Sequence, residues 1–235
     1  MTELLQVEHL AKRYGDQIAL ADVAFDVREG EVLGIIGPNG SGKTTLLECL
    51  AGLQPADSGQ VRWLGQALPR DRRKRAMFYI PDGIAPFAEH PVQAVLRFMA
   101  STHRQSTKAM QDATEALGLG PVLHKTVGTL SKGYRRRLLL ALGLIAPHPM
   151  LVMDEPFDGF DLRQTRDVMM LLRATAKNGR ALLLSIHQLG DAERICDRFV
   201  LLSAGSVRGR GSLHELRQRS GTSDGNLEDI FLALA

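Results

Sequence analysis

Cysteine is scarce: Cys49 and Cys196 are the only two in 235 residues. They cannot build a disulfide framework, and neither has Cys or His neighbours at metal-ligand spacing, so a zinc site is not expected and a reducing compartment fits. Long apolar runs are also missing. The longest, Leu138 to Ala146, stops at Pro147, far short of the roughly 20 residues a membrane-spanning helix needs. Met1-Thr2-Glu3-Leu4-Leu5-Gln6 has neither the basic stretch nor the apolar core of a secretory leader, and export is not expected. Nor is there a strong charge of one sign. Lys plus Arg number 29 against 26 Asp plus Glu, a net +3, too little to argue for nucleic acid. Two basic clusters, Arg70 to Arg75 and Arg135-Arg136-Arg137, have no aromatic residues interleaved and read as solvated faces near a membrane or a phosphate-rich site. No internal repeat or low-complexity tract occurs.

What is present is enough apolar residue, 44% of the chain, to bury the core of one large domain or two small ones. Gln6 to Leu10, Gln17 to Leu20 and Val23 to Val27 predict short strands separated by turns such as Tyr14-Gly15-Asp16, and hence an antiparallel sheet. Glu31 to Ile36 is a compact apolar strand, followed by a glycine-rich turn and a helix over Thr44 to Leu50. Apolar strands return at Met150 to Met153, Ala181 to Ile186 and Arg198 to Leu202, with helix-length segments between them, as a parallel α/β core requires. Between them, from about Asp82 to Pro149, Val92, Val95, Leu96 and Met99 recur at helical spacing and Ala109 to Leu117 continues in helix formers. An inserted helical subdomain is expected at 82–149, within a domain of 1–219. Ser220 to Gly225 reads as a linker and Leu227 to Ala235 as a terminal helix, together 220–235.

Gly37-Pro38-Asn39-Gly40-Ser41-Gly42-Lys43-Thr44, continued by Thr45, matches the phosphate-loop pattern and sits between strand and helix, as that pattern needs. The glycines let backbone N–H groups turn inward on phosphates, and the helix N-terminus adds positive potential there. Lys43 is placed to reach β- and γ-phosphates, and the Thr44 hydroxyl to bind Mg²⁺. Far downstream, Met150 to Met153 delivers Asp154 and Glu155 to the carboxyl end of a buried strand, the ligand-facing edge of such sheets. Asp154 suits the Mg²⁺ shell, and Glu155 suits the polarisation of an attacking water. His187 closes another apolar strand at the same edge.

With Leu130-Ser131-Lys132-Gly133-Tyr134 added, the sequence resembles the ATP-binding cassette (ABC) ATPases, from about Val7 to Arg219 and with the motifs in that family's order. This pentapeptide is similar to the family signature Leu-Ser-Gly-Gly-Gln, with Ser131 near a helix N-cap and departures at Lys132 and Tyr134. The resemblance implies an α/β phosphate-loop core with a parallel central sheet, an N-terminal antiparallel β-subdomain and the inserted helical subdomain. It further implies that Tyr14 stacks on adenine, that Ser131 and Gly133 contact nucleotide, that Phe160-Asp161 belongs to the loop after the catalytic Glu155, and that His187 is the switch histidine. ATP and Mg²⁺ are the implied ligands. At Asp82 the family pattern expects a glutamine that senses Mg²⁺. An aspartate there either contacts the metal or its water, or caps the start of the helical subdomain and faces solvent.

The function implied is the ATPase subunit of a transporter, of an exporter type by its Lys132-Gly133-Tyr134 signature and Leu227 to Leu232 ending. It would be peripheral on the cytoplasmic face and paired head to tail with a second copy or close paralogue, so that each signature closes over the other's ATP. A separately encoded transmembrane permease is the expected partner, and no nucleic acid. The alternatives are a soluble ABC ATPase acting on nucleic acid or ribosomes, and a small-molecule kinase. The first usually carries a coiled-coil insertion or second cassette; the second leaves Ser131 to Tyr134 and His187 unexplained.

Overall fold

A computed structural model describes residues 2–222 and 224–234. Its strands are β1 (Glu3–Tyr14), β2 (Gln17–Arg28), β3 (Val32–Ile36), β4 (Ser58–Trp63), β5 (Gln66–Ala67), β6 (Met77–Ile80), β7 (Met150–Asp154), β8 (Ala181–Ile186), β9 (Arg198–Ser203) and β10 (Ser206–Gly211). The helices are α1 (Lys43–Ala51), α2 (Arg73–Ala76), α3 (Val92–Thr102), α4 (Thr107–Ala116), α5 (Lys132–Ile145), α6 (Leu162–Lys177), α7 (Leu189–Ile195), α8 (Leu213–Ser220) and α9 (Leu227–Leu234). Ser223, inside the expected linker, and Ala235, at the end of the expected terminal helix, lie outside the described residues.

One sheet is antiparallel in the order β2-β1-β4-β5; the other runs β10-β9-β3-β8-β7-β6, parallel except for the β9–β10 pair. β3, β7 and β8 are buried along their whole length, which is why they are apolar throughout rather than alternating. On one face, Leu33, Ile35, Val152 and Leu183 meet Leu46 and Leu50 of α1 and Leu10, Leu20 and Phe25 of the antiparallel sheet. On the other, Ile36, Met153 and Leu184 meet Leu138 and Leu142 of α5, Leu172 of α6 and Ile195 of α7. The fold is therefore an α/β phosphate-loop architecture with mixed parallel and antiparallel sheets.

Three sequence expectations change. The two strands expected at Gln17–Leu20 and Val23–Val27 are one, because Asp22 adopts a left-handed φ of 57° and the ladder to β1 continues on both sides of it. Neither basic cluster is merely a solvated face. Arg73 is buried and donates to the Cys49 carbonyl at 2.5 Å, and Arg70 donates to the Gly52 and Leu53 carbonyls at 2.8 Å each, so the pair satisfies chain ends after α1. Arg136, in the other cluster, is also buried. β4, β5, β6 and β10 were not foreseen as strands.

Candidate functional site

The carboxyl ends of β3, β6, β7 and β8 lie side by side, and the loops leaving them converge on a cavity of about 460 Å³ lined by Tyr14, Asn39, Gly40, Gly42, Lys43, Thr44, Thr45, Asp82, Asp154 and Glu155 among others. The phosphate loop forms its floor. Gly37 has no room for a side chain: a Cβ there would lie 2.1 Å from the Leu202 carbonyl oxygen. Gly42, at φ 104°, supplies the left-handed turn that starts α1, and no side chain caps that helix. Its first N–H groups are thus open toward the cavity.

Lys43 is buried and donates from Nζ to the Gly37 carbonyl at 2.7 Å and the Pro38 carbonyl at 3.3 Å. An ammonium has three protons, so one remains for a ligand. Ser41 Oγ is buried without a hydrogen-bond partner, an arrangement that costs free energy unless a ligand or water completes it. The Thr44 hydroxyl donates to Asp154 Oδ2 at 2.8 Å. A threonine hydroxyl and a carboxylate in contact beside an open cavity are the oxygen donors that suit Mg²⁺, which keeps most of its waters and takes one or two protein ligands. This donor set, beside Lys43 and the open N–H groups of α1, fits a Mg²⁺-bound polyphosphate, while Ser41 Oγ lies outside the cavity lining.

At the ends of β7 and β8, Ser185 joins the two acidic residues: its hydroxyl donates to Asp154 Oδ1 and accepts the Glu155 N–H at 3.0 Å. Glu155 sits at φ 48°, a left-handed backbone that costs about 1–3 kcal/mol and concentrates at functional sites. Its Oε2 accepts the His187 backbone N–H at 3.3 Å and faces His187 Nδ1 at 2.6 Å. The three residues expected at this edge, Asp154, Glu155 and His187, are brought together. Tyr14 lines the cavity mouth, 46% exposed, with Lys12 Nζ 5.2 Å from its ring centroid.

The signature residues are elsewhere. Ser131 caps α5, its Oγ accepting the Tyr134 N–H at 3.4 Å, and neither it nor Gly133 lines the cavity. Instead this segment grips the loop after Glu155. Lys132 pairs with Asp158 at 2.6 Å, and the Arg137 guanidinium lies over both Tyr134 and Phe160, 5.6 and 5.9 Å from their centroids. Asp161 is the N-cap of α6, accepting the Gln164 N–H at 2.8 Å. Asp82, expected either at the metal or as a solvent-facing cap of the helical subdomain, is exposed and pairs with Arg136 of α5. Sequence reasoning missed Ser185 and Arg136. The signals were a lone hydroxyl within the apolar run Leu182 to Ile186, and the helical phase that places Arg136 with buried Leu140 and Gly143.

The comparisons agree with this geometry. The ABC transporter family pattern matches residues 20–158. The ABC transporter ATP-binding protein YxlF of Bacillus subtilis (strain 168) is 33% identical over 224 residues, 94% of this chain and 75% of that protein. Nod factor export ATP-binding protein I of Ralstonia nicotianae is 34% identical over 221 residues, 92% of this chain and 69% of that protein. A solved ATP-binding subunit of an ABC transporter superposes with a TM-score of 0.90 at 29% identity, covering 98% of this chain and 99% of the other. The chain belongs to the ABC transporter family, as an ATP-binding subunit.

Proposed function

We propose that the chain hydrolyses ATP to drive an exporter, as one of two copies joined head to tail beneath a separate membrane-spanning subunit. The observation that carries this is the convergence on one cavity of the phosphate loop, the Thr44–Asp154 contact and Glu155, with His187 outside the cavity lining but hydrogen-bonded to Glu155. Lys43, the open N–H groups of α1 and Gly40 hold the phosphates; Tyr14 supplies a face for the base. Thr44 and Asp154 hold Mg²⁺, which neutralises phosphate charge when bound. Glu155 orients and polarises a water in line with the terminal phosphate, and His187 holds Glu155 through Nδ1 and offers Nε2 as charge develops. Ser185 fixes Asp154 relative to Glu155.

Ser131 and Gly133 lie outside this cavity, which supports a second copy supplying them, since the α5 N-terminus is suited to the far side of the same nucleotide. The segment 82–149 is taken as the helical subdomain that carries the signature, within a domain of 1–219, with α9 as the terminal element. No helix among the described residues is long and apolar enough to cross a membrane, so transport requires a partner that does. Peripheral attachment at the cytoplasmic face follows from that partnership. Export rather than import is supported by the similarity to the Nod factor export protein.

Glu155→Gln tests the reading, because the amide keeps the shape and loses the charge that polarises water. ATP binding should persist within a few-fold while phosphate release falls by about 10²–10⁴, and with ATP the mass in light scattering should double. Parental phosphate release from this variant would reject Glu155 as the catalytic carboxylate, and a mass that stays single would reject the paired arrangement.

A further inference from the structure

The cavity that suits a polyphosphate carries more negative than positive charge. Asp82, Asp154 and Glu155 line it, and among the described residues Lys43 is the one cationic side chain that does. Thr44, Ser185 and His187 already engage Asp154 and Glu155. Asp82 follows β6 and Pro81, at the strand end beside that of β7, where Ile80 pairs with Met153. Behind it lies Arg136, only 4% exposed, whose Nη2 engages Asp82 Oδ1 and whose Nη1 donates to the Asp154 carbonyl at 3.3 Å. The Asp82 side chain is 43% exposed and lines the cavity. A buried guanidinium needs acceptors or a counter-charge to offset its desolvation, and for Arg136 one of these is a carboxylate of the cavity wall.

We propose that Arg136 is a positioning residue for the nucleotide: from behind the wall it neutralises Asp82 and holds its carboxylate toward α5, so that the cavity accepts polyphosphate despite a third acidic side chain. This rests on the ATP-site reading above. Asp82 is then a ligand of the arginine rather than of Mg²⁺. The same pair ties the cavity to α5, whose N-cap Ser131 lies five residues before Arg136, on the order of 7 Å along the helix axis.

The electrostatics give the two partners opposite signs, which a purely structural ion pair does not. Equilibrium binding of ATP in EDTA, where no metal contributes, is measured for the parent chain, Arg136→Gln, Asp82→Asn and the double variant, together with their melting temperatures. Arg136→Gln bares the Asp82 charge beside the phosphates and should weaken binding on the order of tenfold. Asp82→Asn leaves the guanidinium uncompensated and should tighten binding about threefold. The double variant, a neutral amide pair, should return to within about twofold of the parent. Single variants that shift affinity in the same direction, or not at all, overturn the inference. If Arg136→Gln does not fold, Asp82→Asn decides alone, because unchanged or weakened binding overturns it and tighter binding supports it. A parent chain that does not bind ATP would bring down the ATP-site reading itself, whereas a binding parent with unshifted variants removes only this inference.

Discussion

The two edges of the parallel sheet are built on opposite terms. At the amino edge the charges close on one another. Arg198, at the start of β9, donates to both oxygens of Asp26 at 2.7 and 2.9 Å and to Glu31 at 3.2 Å. Asp197 accepts the Val32 N–H at 2.9 Å and pairs with Arg173. Arg180, just before β8, donates to the carbonyls of Gly143, Leu144, Ala146 and His148, so it ties the end of α5 to the approach to β7. At the carboxyl edge the bonding is left incomplete: Ser41 Oγ has no partner, α1 has no side-chain cap, and Glu155 holds a left-handed backbone. Open helix N–H groups and a left-handed non-glycine backbone cost stability and concentrate where a ligand binds. The difference teaches where to look: the amino edge holds the sheet together, and the carboxyl edge carries the proposed ATP site.

The strongest test of that division removes Lys43. Lys43→Ala should weaken ATP binding by about a hundredfold or more, since it deletes the one cationic side chain that lines the proposed phosphate site among the described residues. The melting temperature should change by no more than about 3 °C, because among the described residues the ammonium's protein partners are two carbonyls of a single loop. Calorimetric titration with ATP beside a thermal melt checks both. A variant that binds normally, or one that mainly unfolds, breaks the comparison.

The converse test is at Arg180, whose burial pulls its guanidinium down to about 10, still charged at neutral pH. Arg180→Met should cost about 2 kcal/mol of stability, from the lost charge-assisted bonds to four carbonyls, or about 4–8 °C in melting temperature. ATP affinity should be unchanged within about twofold, since the side chain lies at the far edge of the sheet. A loss of affinity as large as that of Lys43→Ala would mean that the two edges are not separable.

How much of this was legible in the sequence depends on how far apart the cooperating residues lie. The phosphate loop is contiguous, and glycine spacing alone places it. Asp154, Glu155 and His187 follow apolar runs, so strand polarity puts them at one edge. Ser185 looked like part of the strand, because nothing local reveals that a hydroxyl inside Leu182 to Ile186 meets a carboxylate thirty-one residues earlier. Arg136 sat within three consecutive arginines and read as solvated surface, although helical phase separates it from its neighbours. Ala21-Asp22 fell between two expected strands, and only pairing with β1 on both sides shows that Asp22 is an irregularity within one strand. β10, Ser206–Gly211, carries two arginines and two glycines and shows no alternation to read.

The smallest effect distinguishes two carboxylates on the same arginine. The Arg198 hydrogen bond holds the Asp26 carboxyl below its ordinary range, against an opposing push from burial. Burial pushes Glu31 upward, against the Arg28 N–H and the Arg198 charge. Asp26, depressed in the folded chain, contributes stability that is present above its unfolded value of about 3.9 and is lost as pH falls through the folded value. Glu31, raised in the folded chain, contributes stability that is full below its unfolded value of about 4.3 and is lost as pH rises through the folded value. Thermal melts from pH 7 to pH 3, taken as differences from the parent, should therefore separate in sequence. As the acid is added, Asp26→Asn should lose its disadvantage only below about pH 4, whereas Glu31→Gln should lose its advantage earlier, as pH falls through the raised folded value of Glu31. Each difference should amount to about 2 °C or less, because both groups remain partly solvated. ATP affinity at neutral pH should match the parent in both variants. Difference curves of the same sign would show that Arg198, rather than burial, governs Glu31 as well, and an altered ATP affinity would extend the working edge of the sheet to its amino side.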